Sequence, residues 1–220
     1  MIWNESLNTV FLVASKWTEV GRRRMEFHSL AVALAMANTH FYLGKKLDEA
    51  WRGEFKKELY KSLDFWSYTL RAHFQTAILH LCRVYDERRK DDTHHLLHLV
   101  EKIDDSNLTD LQRQQKTMDF SFLQKSKPNE KVAKLRKWRN NYFAHNNYIL
   151  AIDGMEDFLK KNPVDLQEIQ SLIDNGFSIL ERWAIYYDFK GEFPRFVERK
   201  DDYQFVLESL RFGLIQKTRQ

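Results

Sequence analysis

The segment PNEKVAKLRKWRNNYFAHNN, from Pro128 to Asn147, has the residue spacing of an amphipathic helix. Pro128 at the start and Glu130 in the first turn are typical of a helix N-terminus. At about 100° per residue, four apolar side chains fall on one face: Val132, Leu135, Tyr142 and Phe143. Arg139 falls in the middle of this face. Because burying an unpaired charge is costly, Arg139 there requires a carboxylate, a phosphate or water as its partner.

The composition of the whole chain extends this helical prediction to all 220 residues. With 43% hydrophobic residues, 30% charged residues, 7 glycines and 3 prolines, long helices are favoured over a turn-rich β architecture. Without a repeat or a Gly/Ser linker, the chain is predicted to be one all-α domain spanning residues 1–220.

Helical periodicity and capping residues predict where the helices begin and end. The predicted helices run from Asn4 or Ser6 to about Val20, from Arg22 to Leu43, from Leu47 to Arg88 with a break near Gly53, from His94 to Ile103, and from Asp165 to Phe189. Gly21 and Gly44 are expected to separate the first three, and Asp92 or Thr93 to cap the fourth. Residues 104–127 are predicted as a short helix plus loop. The third helix carries core-spaced residues: Phe65, Leu70, Phe74, Ile78, Leu81 and Tyr85.

Charge and cysteine content bear on partners and compartment. A net charge of +4 and a pI near 9.0 favour a nucleic-acid partner. The single cysteine, Cys82, lies in an apolar stretch and is predicted to be a core residue in a reduced, cytoplasmic protein. The N-terminal segment lacks the features of a signal peptide, and the longest apolar block is far shorter than the roughly 20 residues that span a bilayer. No membrane association is expected.

A candidate catalytic pair follows from the opening segment. Arg139 and His145 are separated by five residues, and Asn140 directly follows the arginine. Three other pairs in the chain share this spacing: Arg22/His28, Arg88/His94 and Arg89/His95. The position of Arg139 on an apolar face distinguishes the first pair from the others. Three cations also precede it and are predicted to bind RNA: Lys134, Arg136 and Lys137.

These residue types suit RNA cleavage without a metal ion or other cofactor. The pKa of a histidine lies close to working pH, so His145 could take a proton from a ribose 2′-hydroxyl or give one to the leaving 5′-oxygen. The Arg139 guanidinium could stabilise charge on the phosphate, and Asn140 could either orient the arginine or hydrogen-bond the phosphate. Since one histidine supplies only half of an acid–base pair, a symmetric dimer would complete the site.

Less specific interpretations of the same residues stay open. Arg139 could form a structural ion pair with Asp86 or Glu87, and His145 could cap a helix end. His94 and His98 lie one turn apart, as in helical zinc sites, but no third ligand is evident in the sequence. No metal site is predicted.

The segment RNNYFAH, preceded by a long helix ending in HLCRVYDER, resembles the HEPN superfamily (higher eukaryotes and prokaryotes nucleotide-binding). It is similar to the branch associated with phage abortive infection and toxin–antitoxin systems. The family motif is an arginine, usually followed by Asn, Asp or His, with a histidine four to six residues further on. Arg139, Asn140 and His145 match this motif.

The resemblance implies a HEPN-like antiparallel helical bundle over about residues 63–189. It does not cover an N-terminal helical extension of about residues 1–45 or a C-terminal helical tail of about residues 190–220. It further implies a homodimer with facing motifs, a metal-independent endoribonuclease that leaves cyclic phosphate ends, RNA as substrate, and association with a cognate antitoxin. Two alternatives remain: a non-catalytic module that binds RNA, a nucleotide or a protein, and a helical scaffold.

Overall fold

The computed structural model describes residues 19–85, 95–124, 129–140, 165–189, 193–195 and 202–217. Within these ranges every regular element is helical, which confirms the all-α prediction. The α-helices are α1 (Glu19–Arg52), α2 (Lys56–Tyr60), α3 (Leu63–Tyr85), α4 (Leu96–Glu101), α5 (Asp110–Leu123), α6 (Glu130–Trp138), α7 (Leu166–Trp183) and α8 (Asp202–Lys217). Short 3₁₀ helices cover Asp105–Asn107 and Ala184–Tyr187. None of the helices described in these ranges is both long enough and apolar enough to cross a bilayer.

The two longest helices, α1 and α3, pack against each other in opposite directions. Arg83 near the end of α3 donates to Ser29 near the start of α1, whereas His73 lies against His40 further along. At Gly44, a Cβ atom would lie 3.1 Å from the Phe74 ring, so the glycine allows the close approach of the helices. The prediction that Gly21 and Gly44 interrupt the helix was wrong, because α1 runs through both residues. At Gly44, tertiary packing outweighs the low helix propensity of glycine.

The main hydrophobic core is shared by six helices. Its fully buried side chains include Phe27 and Leu34 of α1, Leu81 of α3, Leu96 of α4, Leu123 of α5, Val132 of α6, and Ile173 and Trp183 of α7. Cys82 is buried here as predicted. The buried Tyr85 hydroxyl donates to the Leu172 carbonyl at 2.6 Å, which ties α3 to α7. Burial raises the pKa of Tyr85, so the hydroxyl keeps the proton that it donates.

The predicted core face of α3 is correct only in its C-terminal half. Ile78, Leu81 and Tyr85 are buried, whereas Phe65 is 62% exposed. At this end of α3 the neighbouring Trp66 turns inward instead and packs into a second, smaller cluster. That cluster is formed by Ala50, Phe55, Leu59 and Leu207, with Trp51, Trp66 and Tyr203 against it. The core-facing side of α3 therefore changes along its length.

The helices α4 and α5 differ from their predicted extents. His95 caps α4, since its Nδ1 accepts from the backbone N–H of His98 at 3.1 Å; the caps expected at Asp92 and Thr93 lie outside the described residues. Thr109 and Gln112 form a capping box that starts a 14-residue α5 within the predicted loop and short helix. The buried Asp119 then joins α5 to α7 by accepting from Arg182 at 2.6 and 2.7 Å.

Candidate functional site

The short helix α6 leads to the candidate catalytic arginine and is fixed by its apolar face. Val132, Leu135 and Trp138 are buried, and the helix packs against α3 and α7. The burial of Val132 and Leu135 was predicted. Tyr142 and Phe143, the other predicted members of this face, lie outside the described residues.

Two lysines of α6 fix its direction along α7. Lys131 donates to the Ser171 hydroxyl at 2.7 Å, and Lys134 pairs with both carboxylate oxygens of Glu168 at 2.7 and 2.8 Å. The hydrogen bond from Lys134 lowers the pKa of Glu168, so this carboxylate stays charged. Since the higher-numbered lysine contacts the lower-numbered partner, α6 and α7 run antiparallel. The C-terminal end of α6 therefore lies near the N-terminal end of α7.

The predicted RNA-binding residue Arg136 has contacts inside the fold. Its Nε donates to the Tyr85 carbonyl at 3.3 Å and its Nη2 to the Leu123 carbonyl at 2.9 Å. These two carbonyls belong to the last residues of α3 and α5, where main-chain acceptors lack helical partners. Arg136 thus joins three helix ends. Lys137, the next residue, is exposed.

Arg139 follows the last residue of α6 and is half-buried. Its Nε and Nη2 both donate to Oδ1 of Asn140, at 2.9 and 2.6 Å. The backbone of these two residues has π-helical geometry, a local widening of the helix that is often found at functional sites. His145 and the alternative ion-pair partners Asp86 and Glu87 lie outside the described residues.

The contact between Arg139 and Asn140 restricts the orientation of the guanidinium plane. Two nitrogens on one edge of the group converge on a single oxygen, so rotation about the last side-chain bonds is limited. A guanidinium keeps its charge at all working pH values and matches the geometry of phosphate oxygens. The arrangement therefore suits recognition of a phosphate by an oriented cation.

The described residues contain no group of three or more His, Cys, Asp or Glu side chains placed to share a metal ion. Of the two histidines considered as metal ligands, His98 is half-buried on α4 beside the capping His95, and His94 lies outside the described residues.

Two features were not predicted because each combines residues from separate helices. His40 of α1 and His73 of α3 bring their Nδ1 atoms within 3.0 Å, and the His80 ring stacks near His40. A cleft of about 380 Å³ also lies between α1 and α7, with Lys45 and Asp174 in its lining. No local sequence motif marks either feature, and only the packing of the helices reveals them.

The chain was compared with known protein families, curated proteins and solved structures. The family model HEPN_AbiU2, described as AbiU2, matches residues 19–210. No curated protein and no solved structure matches the sequence. The family match begins with α1 and reaches into α8, well beyond the 63–189 range suggested by the motif. The chain therefore belongs to the AbiU2 family, in the abortive-infection branch of the HEPN superfamily.

Proposed function

We propose that this protein is a metal-independent endoribonuclease of a phage-defence or toxin–antitoxin system, with Arg139 and His145 as catalytic residues. The observation that supports this most directly is the oriented Arg139 guanidinium at the end of α6, held by Asn140 through two nitrogens. Membership of an abortive-infection family agrees with a function in phage defence. The match of Arg139, Asn140 and His145 to the HEPN motif supports the assignment of the three residues.

The proposed reaction is attack of a ribose 2′-oxygen on the adjacent phosphorus. A neutral histidine takes the 2′-hydroxyl proton as the new O–P bond forms. The bond from phosphorus to the 5′-oxygen breaks, and a second imidazole, protonated beforehand, gives its proton to the leaving oxygen. The products are a 2′,3′-cyclic phosphate and a 5′-hydroxyl. Arg139 stabilises the extra negative charge on the phosphate oxygens in the transition state.

The proposed active form is a homodimer, because the reaction uses two imidazoles and each chain offers one at this motif. A two-fold axis would place the two copies of the motif opposite each other, with one His145 acting as base and the other as acid. The antitoxin, where one exists, would act by covering this shared groove.

The three proposed RNA-binding cations of α6 are expected to contribute unequally. Lys137 is exposed and is the best placed to meet a phosphate. Lys134 is paired with Glu168, so a phosphate would have to replace this carboxylate. Arg136 donates to two main-chain carbonyls and is proposed to act mainly through its positive potential.

The test is cleavage of a mixed RNA pool in EDTA by purified wild type, Arg139→Ala and His145→Ala, with the product ends identified by mass spectrometry. The sequence offers a matched control, since Arg22 and His28 have the same spacing, and both are exposed. Arg22→Ala and His28→Ala should cleave RNA like wild type, whereas Arg139→Ala and His145→Ala should lose activity. The melting curve of His145→Ala should match that of wild type, so that its loss of activity does not come from unfolding.

Cyclic phosphate ends from wild type and both controls, but not from the two motif variants, would establish the proposed reaction. Cleavage that persists in His145→Ala, or that stops in EDTA, would reject it. RNA binding without cleavage by any form would instead identify a non-catalytic binding module.

A further inference from the structure

The cleft between α1 and α7 is lined by Leu166 and by six residues with polar side chains. It has a volume of about 380 Å³, within the range of small-molecule sites. Lys45 comes from α1, and Gln167, Gln170, Asp174 and Asn175 come from successive turns of α7. The cleft thus combines one cation, one carboxylate and three amides.

Lys45 supplies a positive charge that the described part of the chain does not neutralise. Its ammonium lies 5.8 Å from the centre of the Phe41 ring and has no carboxylate within ion-pair distance among the described residues. The two lysines of α6 that reach α7 differ, since Lys131 binds Ser171 and Lys134 binds Glu168. The charge of Lys45 therefore favours an anionic group in the cleft.

Asp174 supplies a hydrogen-bond acceptor on the α7 side. Its Oδ1 accepts from the Gln170 amide at 3.0 Å, whereas no described residue donates to its Oδ2. Gln167 also lines the cleft, and the hydrogen bond that it donates among the described residues comes from its backbone N–H to Asp165 Oδ1 at 3.0 Å. A carboxylate held in this way can accept two N–H groups that lie side by side on a ligand.

We propose that this cleft binds a guanine nucleotide, with Asp174 accepting from the base and Lys45 pairing with the phosphate. Guanine carries two neighbouring donors, the N1–H and the 2-amino group, while adenine and cytosine each offer one amino group on the corresponding edge. The Gln167 amide can donate to the guanine O6. A carboxylate would therefore select guanine over the other bases.

The guanine can belong to a free nucleotide or to a residue of an RNA chain. The cleft adjoins α6 through Ser171, whose hydroxyl accepts a hydrogen bond from Lys131 of α6. Arg139 follows Lys131 by eight residues, which at 1.5 Å per residue is about 12 Å along the helix axis. An RNA bound at Arg139 could thus reach the cleft with a neighbouring base. The inference concerns binding alone and does not depend on cleavage at Arg139.

The first experiment measures binding of GMP, IMP and AMP to the full chain by calorimetry. IMP differs from GMP only by lacking the 2-amino group. Since a hydrogen bond to a charged group is lost, IMP should bind about 10-fold more weakly than GMP, and AMP at least as weakly as IMP. Asp174→Asn should abolish the preference for GMP over IMP. Asp110→Asn, which changes an exposed carboxylate on α5, should preserve it.

The second experiment tests Lys45 and the source of the guanine. Lys45→Met should bind GMP no better than guanosine, whereas wild type should prefer GMP. Short RNAs with one guanine, or with inosine in its place, are then tested on His145→Ala, so that cleavage does not enter the measurement. Binding of GMP would show that the bound guanine belongs to a free nucleotide. If GMP does not bind but RNA binds only when it contains guanine, the bound guanine is a base of the RNA. Equal binding of GMP, IMP and AMP, or no guanine-dependent binding in either form, would overturn the proposal.

Discussion

The Arg139 guanidinium is held by the side chain that directly follows it in the sequence. Asn140 is exposed, so its contact with Arg139 orients the cation without contributing to the hydrophobic core. An arginine with a carboxylate partner would have its charge neutralised, whereas an amide oxygen accepts the same hydrogen bonds and leaves the positive charge intact. In this chain, Asn140 thus orients Arg139 and leaves its charge intact for the phosphate that it is proposed to bind.

The exposure of Asn140 gives the first prediction. Asn140→Ala removes the Oδ1 acceptor, and we expect single-turnover RNA cleavage to slow by about 10- to 100-fold because the guanidinium loses its orientation. The melting temperature should stay within about 1 °C of wild type, as expected for an exposed surface substitution. Asn140→Asp, which keeps the acceptor but adds a negative charge, should also cleave slowly. An unchanged rate in Asn140→Ala would show that Asn140 does not position Arg139.

The different surroundings of Arg136 and Lys137 give the second prediction. Arg136→Ala leaves the carbonyls of Tyr85 and Leu123 without their donor, so the free energy of unfolding should fall by about 1–3 kcal/mol. Lys137→Ala should leave stability unchanged and weaken RNA binding, with a shallower dependence of affinity on salt. Urea denaturation and RNA titrations at two salt concentrations distinguish these outcomes. A stable Arg136→Ala variant would contradict the structural assignment of Arg136.

The sequence made Arg139 a candidate site residue because a cation on an apolar helix face is unusual and can be recognised within one helix. It did not identify the internal contacts of Lys134 and Arg136, because Glu168, Tyr85 and Leu123 are brought to α6 only by folding. Local patterns thus predict which residue types are out of place. They do not predict which partners satisfy them.

At the scale of helices, two glycines with different neighbours set the spacing between α1 and the helices that cross it. A Cβ atom at Gly176 would lie 2.7 Å from Leu34 Cδ2, and Leu34 is fully buried. A Cβ atom at Gly44 would lie 3.1 Å from the ring of Phe74, which is only half-buried. The neighbour can therefore move aside at Gly44 but not at Gly176.

This contrast gives the third prediction, which compares alanine substitutions at these two glycines. Both substitutions raise the helix propensity of the residue by the same amount. We expect Gly176→Ala to lower the free energy of unfolding by about 1–2 kcal/mol, since overpacking costs more than the roughly 1 kcal/mol gained over glycine. Gly44→Ala should be close to neutral or slightly stabilising. Chemical denaturation of both variants measures the difference, and equal stability of the two would contradict the packing argument.

The fourth prediction concerns the histidines between α1 and α3. Burial lowers the pKa of His40, and burial together with the charge of His40 lowers the pKa of His73 and of His80. The folded state therefore takes up these protons less readily than the unfolded state does. Their contribution to stability is complete above the unfolded pKa of about 6.5 and is lost as the pH falls through the lower folded values.

The corresponding measurement is the urea midpoint at pH 7.5 and at pH 5.5. Wild type should lose stability between the two, and His73→Gln should lose less because one titrating group is gone. The control is His28→Gln, which replaces an exposed histidine outside the cluster and should lose as much stability as wild type. A pH dependence that is identical in His73→Gln and wild type would exclude the histidine cluster as its source.

Helix boundaries were the least predictable part of the fold, and α1 shows why. Gly21 and Gly44 are reasonable stop signals in an isolated helix, yet α1 continues through both positions, and at Gly44 it packs closely against Phe74 of α3. Phe65 fits the apolar pattern of α3 but points to solvent, since Trp66 takes the inward position beside Phe55 and Leu207. Periodicity identifies a helix and its approximate face. The neighbouring helices decide where the helix ends and how its face turns.

In the molecule as a whole, α1 and the first part of α8 lie within the same family match as the motif. The AbiU2 match extends over residues 19–210, and α1 contributes a large share of the main core, including Phe27, Leu34 and Phe41. The tail helix α8 buries Leu207 in the second cluster, and Arg211 pairs with Glu58 of α2. The range of about residues 63–189 taken from the motif leaves out α1 and α8, because only long-range packing brings these helices against the others.

The fifth prediction follows from the proposed need for two imidazoles in one active site. Sedimentation equilibrium should give twice the 26.5 kDa mass of a single chain, for wild type and for His145→Ala alike. RNA cleavage per chain should fall when the protein is diluted below the dimer dissociation constant, because a separated chain keeps Arg139 but loses its second histidine. A monomer that retains full activity on dilution would require the second proton to come from another group within the same chain. The symmetric mechanism would then be wrong even if Arg139 and His145 are both essential.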